Sequence, residues 1–285
     1  MKNYKKFLFE KLSENELKYM CFDWDDNILI MPTVIHVEHL INDNWVDEDV
    51  STSKFAEIRS EITDYYEGKK SVWKRKNDNY DDTYSDFRDY GPKGENIFLE
   101  DTIKAIKTNS FGPAWDKFIE CLVDSNIFMI ITARGHEPKS IRKSVEWVIF
   151  KYLTDKQKKE MEINLREFNF LFDINDTLLD FDDLVINYLN LCDFIGISSQ
   201  YFKNNFNPGG DAVVPEKFKA LAIRYFTEKV DKFGKKINRR VKVGFSDDDE
   251  TTAHHIYKYM KNDLWFDFPL DYYVYYTKDG IKRLE

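Results

Sequence analysis

Cysteine is nearly absent: Cys21, Cys121 and Cys192 are the only three in 285 residues. They lie far apart, odd in number and without CxxC spacing, which indicates neither a disulfide framework nor a cysteine zinc site. They read as small buried apolar residues in a reducing compartment. Positive charge is in deficit too, since 42 Lys and Arg face 51 Asp and Glu for a formal net charge of -9. That balance argues against a general nucleic-acid coat, whose affinity comes from clustered cations, and leaves room only for a local basic patch. The opening segment MKNYKKFLFEKLSENELKYM is charged throughout and lacks the apolar run of a signal peptide or membrane span. A cytoplasmic protein with no membrane partner is expected. Histidine metal motifs are missing as well. His36 and His39 stand three apart and His254 and His255 are adjacent, yet neither pair carries an HExxH pattern. His36, soon after Asp25, is better placed to touch a substrate.

What is present suits a folded α/β protein. A hydrophobic share of 42% and an aromatic share of 16% supply a core, and 33% charged residues supply a polar surface. The length exceeds one small domain, so a core with one or two insertions is expected. Apolar runs ending in polar residues predict buried parallel strands at 19–23, 127–132, 194–198, 241–247 and 272–276. Amphipathic helical patterns lie between them at 102–107, 115–123, 139–152, 216–226 and 251–261. Strands alternating with helices predict a Rossmann-like parallel sheet flanked by helices, with ligands beyond the carboxyl ends of the strands. Residues 1–30 and 99–285 are assigned to this core, with a helical excursion at 154–191. Residues 31–98 are assigned to a mainly helical insertion able to cover a site.

The strand ends carry the chemistry. Asp23 and Asp25 stand two apart where the first strand stops, so one carboxylate can attack phosphorus while the other donates a proton to the leaving oxygen. Two close carboxylates repel, and hard oxygen ligands favour Mg2+ as their companion. An acidic turn with an N-capping Asp accounts equally for this segment taken alone. Thr132, followed by Ala133 and Arg134, offers a hydroxyl and backbone amides suited to a phosphate oxygen, and the Arg134 side chain suits either a phosphate or an acid at the rim. Asp247 and Asp248 add carboxylates at another strand end, for metal coordination directly or through water. Lys217, at the start of a helix, can neutralise nucleophile and phosphate together, and Lys219 competes with it.

In this order, the four segments resemble the motifs of the haloacid dehalogenase superfamily of phosphatases. The resemblance spans the strands from about residue 19 to residue 276. It implies that Asp23 is the nucleophile that becomes an aspartyl-phosphate and that Asp25 is the general acid and base. It further implies that Thr132 serves the phosphate and that Lys217, in its KxxAL setting, is the active-site lysine. Asp23, the backbone carbonyl of Asp25, Asp247 and Asp248 are the implied Mg2+ ligands. The departure is Asp26-Asn27, where the family commonly has Gly-Thr; Asn tolerates a tight turn and can donate a bond there. The implied function is a Mg2+-dependent phosphomonoesterase acting on a phosphorylated small molecule or nucleotide. A polynucleotide 3'-phosphatase or nucleotidase is the competing enzyme, and a non-catalytic protein retaining the fold is the competing class.

Two further segments bear on that reading. Leu171-Phe172-Asp173-Ile174-Asn175-Asp176-Thr177-Leu178 mimics the first motif, but Asn175 replaces the proton-transferring carboxylate and the segment follows Thr132 in the chain. The basic run 69–76 is either a solvated face or, with Trp73 and nearby Tyr residues, a platform for a nucleotide base or a nucleic-acid end.

Overall fold

The computed structural model describes residues 16–62, 65–66, 69–91, 93–172, 174–209 and 214–284. In chain order, strand β1 spans Glu16–Asp23, β2 Ile35–Ile41, β3 Asn44–Val50 and β4 Trp73–Arg75. These are followed by β5 at Phe128–Thr132, β6 at Asp193–Gly196, β7 at Arg240–Asp247, β8 at Asp271–Tyr276 and β9 at Lys282–Arg283. One sheet has the order β9-β8-β7-β1-β5-β6, parallel throughout except for the short antiparallel edge strand β9. Each apolar run expected to be a strand is one. In β5 every residue is buried, as a central parallel strand covered on both faces requires.

The covering helices explain the periodicity of the intervening segments. Helix α1 is Thr52–Ile58, α2 Tyr80–Thr83, α3 Ile97–Lys107 and α4 Trp115–Val123. Then come α5 at Pro138–Trp147, α6 at Asp155–Leu171, α7 at Phe181–Leu189, α8 at Gln200–Phe206, α9 at Pro215–Ile237 and α10 at Glu250–Tyr259. Helix α9 packs on β1, β5 and β7, while α5 packs on β6 and α3. Residues 154–191 form the expected helical excursion, opened by a capping box in which Thr154 and Gln157 satisfy each other's backbone amides. No helix among the described residues is long and apolar enough to cross a membrane.

The segment 31–98 differs from expectation. It is built on a three-stranded antiparallel sheet, β3-β2-β4, with only short helices around it. The missed signal is the alternation Ile35-His36-Val37-Glu38, a period of two that places Ile35 and Val37 on one face. Those residues join Val50, Ile58 and Trp73 in a small core of the insertion's own. Three members of the basic run already have partners within the insertion. Trp73 is 7% exposed and stacked on His39 at 3.9 Å, Lys74 pairs with Glu38 at 2.9 Å, and Lys76 pairs with Asp47.

The turn after β1 is locked from outside by the approach to α4. Gly112 donates its N–H to Ile28 O at 2.9 Å, and a Cβ there would meet the carbonyl oxygen of Asn27 at 2.4 Å and that of Asp26 at 2.9 Å. Backbone cannot yield as a flexible side chain can. Gly112→Ala is expected to lower stability by about 1–3 kcal/mol, read as a lower midpoint in urea unfolding with an unchanged slope.

Candidate active site

Asp23 ends β1, and the next residue explains where it points. The indole of Trp24 is seated in the core, 5.3 Å from the ring of Phe98 and 5.9 Å from that of Phe118, with its N–H on Met31 Sδ at 3.4 Å. Side chains alternate along extended backbone, so burying Trp24 turns Asp23 and Asp25 to the other side. Asp26 then takes a left-handed φ of 55°, a conformation that Asp and Asn adopt more readily than most residues.

Asn27 converts this turn into a clamp. Its Nδ2 donates to Asp23 O at 3.0 Å, Ser246 O at 3.2 Å and Ser246 Oγ at 3.1 Å, and its Oδ1 accepts from Thr277 Oγ1 at 2.8 Å. One fully buried amide thus joins the carboxyl ends of β1, β7 and β8, and the Asp26-Asn27 pair is well suited to the turn.

Around that clamp, carboxylates from distant parts of the chain converge. Oxygens of Asp23, Asp247 and Asp248 lie within 4.8 Å of one another, close enough that the three could hold one cation. Lys219 Nζ sits 2.6 Å from Asp23 Oδ1 and 2.7 Å from Asp247 Oδ2. Lys217 is exposed, which corrects its assignment as the site lysine. Two residues along a helix is about 200° around its axis, so only one of the pair can face the strand ends, and α9 turns Lys219 inward.

The charges in this cluster do not balance. Burial works against the Lys219 ammonium, but Asp23 and Asp247 more than offset it and hold its pKa above the ordinary lysine range. Asp23 leans the other way. Burial pushes its carboxyl well above the usual range against the pull of Lys219, and Asp247, Asp248 and Asp25 add to the push. The two directions agree physically, because one ammonium serves two buried carboxylates with a third beside them. Burial, then the neighbouring Asp247, pushes Asp248 up to about 7.

Asp25 belongs to a separate group. Its carboxylate accepts from Thr132 Oγ1 at 2.9 Å and from Arg134 Nε at 2.9 Å and Nη2 at 2.6 Å, and it is not among the three clustered carboxylates. As a side-chain metal ligand Asp25 is therefore not brought into place; its carboxylate is held by the arginine fork instead. Arg134 is buried, with its guanidinium carbon 4.3 Å from the ring centre of Phe87 and 5.5 Å from that of Phe98. Of the two partners expected for Arg134, a phosphate or an acid at the rim, an acid is the one in place, and it is Asp25, which no spacing rule signals. Ala133 and Arg134 both border a cavity between the strand ends and the insertion.

The remaining candidates fall elsewhere. His36 bonds Asp49 at 2.6 Å and lies 3.3 Å from Asp86, and His39 bonds Glu48 at 3.1 Å; neither borders that cavity. In the segment resembling the first motif, Asp173 lies outside the described residues, and Asp176 pairs with Arg166 after α6 rather than at a strand end. Comparison with protein-family models, curated proteins and solved structures gives no match.

A pH dependence follows from Asp248. A carboxyl raised in the fold binds its proton more tightly there than in the unfolded chain, so it makes stability fall as pH rises, between about 4 and about 7. Asp248→Asn is expected to flatten the decline in melting temperature across that window in metal-free buffer. An identical profile in the variant would show that the site does not confine this charge.

Proposed function

We propose that this chain is a Mg2+-dependent phosphomonoesterase of the haloacid dehalogenase type, working through an aspartyl-phosphate on Asp23. The observation that carries the reading is the convergence of Asp23, Asp247 and Asp248 with Lys219 between two of them. It joins the ordered strand-end motifs, which resemble that family's along most of the chain.

The donor set fits Mg2+. Three carboxylates share a buried corner with one ammonium, their oxygens are hard ligands, and burial drives all three toward the neutral form, as expected where a positive charge is wanting. Asp23, Asp247 and Asp248 would hold the ion, which would supply charge to offset carboxylate and phosphate during attack.

The chain's own groups then divide the work. An oxygen of Asp23 attacks phosphorus in line, the bond from phosphorus to the leaving alcohol breaks, and Asp25 gives that oxygen its proton. Asp25 next takes a proton from water, whose oxygen displaces Asp23 and releases inorganic phosphate. Lys219 steadies the nucleophile and the incoming phosphate together. The Thr132 hydroxyl, which now donates to Asp25, would donate to a phosphate oxygen instead. Both changes require Asp25 to swing off the Arg134 fork, so its proton-transfer pose differs from its pose on that arginine.

Phosphate release from an aryl phosphate provides the test. Activity should require Mg2+, fall about a thousandfold or more in Asp23→Asn and Lys219→Met, and stay within about twofold in Lys217→Ala. Equal rates in wild type and Asp23→Asn would end this reading in favour of a non-catalytic protein.

A further inference from the structure

The cavity beside Asp25 has a composition unlike the rest of this acidic chain. It encloses about 320 Å3, near the lower limit for small-molecule sites, and lies between the strand ends and the insertion. From the core side it is bounded by Asp25 and by Ala133 to Gly135. From the insertion side, Phe55, Tyr80, Tyr84 and Phe87 form a continuous aromatic wall, with successive ring centroids 5.6, 4.5 and 6.3 Å apart through Tyr84.

Three arginines border the same space against a single carboxylate, in a chain of net charge -9. Two are already engaged, Arg134 with Asp25 and Arg88 with Asp81. The third, Arg59, is exposed at the cavity and its guanidinium has no ion-pair partner among the described residues.

We infer that this cavity receives the leaving group, and that the substrate is a phosphomonoester whose alcohol carries a flat aromatic ring and a second negative charge. The inference rests on the phosphomonoesterase reading, because the leaving oxygen must come within reach of Asp25 and Asp25 forms part of this wall. Flat rings stack on the faces and edges of the aromatic wall, and each such pair adds to simple burial. A second anion finds in Arg59 a fork suited to carboxylate or phosphate. The net negative charge and the paired Lys74 and Lys76 disfavour a polymer, so a free small molecule of the nucleoside bisphosphate type is the assigned class.

Binding reads this cavity without turnover. Adenosine 3',5'-bisphosphate, adenosine 3'-monophosphate, glucose 6-phosphate and a 3'-phosphorylated trinucleotide are titrated calorimetrically into the Asp23→Asn protein with Mg2+. The bisphosphate should bind about tenfold tighter than the monophosphate, and the monophosphate about tenfold tighter than the sugar phosphate. Adding Arg59→Ala should collapse the first ratio, and Tyr84→Leu, checked for folding by its melting curve, should reduce the second. Equal affinities, or ratios unmoved by both substitutions, would overturn the inference, and tightest binding of the trinucleotide would overturn its small-molecule part. Hydrolysis of a simple aryl phosphate without these preferences would remove the substrate class and leave the phosphomonoesterase reading standing. The stated order of binding with no hydrolysis of any ester by wild type would do the reverse.

Discussion

A single buried ammonium, that of Lys219 between the carboxylates of Asp23 and Asp247, is the constraint on which the rest of the site depends. Charges this deep are stable only when paired, and here the pairing joins the end of β1, the end of β7 and the first turns of α9. One ammonium cannot neutralise two carboxylates and a third neighbour. The three carboxylates gathered there could hold a cation, and the scaffold around them keeps them together.

The scaffold does so with neutral groups. Asn27 draws the ends of β1, β7 and β8 together through four hydrogen bonds, and Gly112 lets the chain before α4 close over the same turn without a side chain. Trp24, between the two acids, is seated among core rings, so that Asp23 and Asp25 turn to the opposite side of the chain from its indole. Asp25 is left to a different partner, Arg134, which is gripped in turn by Phe87 and by Phe98 of α3. The insertion therefore touches the catalytic candidates through that arginine, and it supplies the ring-lined side of the adjoining cavity.

Much of this was legible in the residues alone. Buried parallel strands such as Phe128–Thr132 announce themselves as apolar runs, and the rule that ligands gather at their carboxyl ends singled out Asp23, Asp25, Thr132 and Asp247. Helical phase was harder. Lys217 and Lys219 both fit a lysine near the start of α9, and only packing decides which side of the helix faces the sheet. The insertion was misjudged because its strands are partly exposed and carry many polar residues, so their alternation competes weakly with polar helical patterns. Which acid Arg134 meets was hidden for another reason: an ion pair 109 residues apart in sequence leaves no local trace.

A crystal structure of the protein grown with Mg2+ and beryllium fluoride would examine the proposed chemistry at atomic level. The fluoride complex, which mimics a phosphoryl group on a carboxylate, should be bonded to an oxygen of Asp23, with the ion held by Asp23, Asp247 and Asp248 and with Lys219 still in contact. Beryllium fluoride bound elsewhere, or an ion that ignores those three carboxylates, would contradict the assignment of Asp23 as the nucleophile.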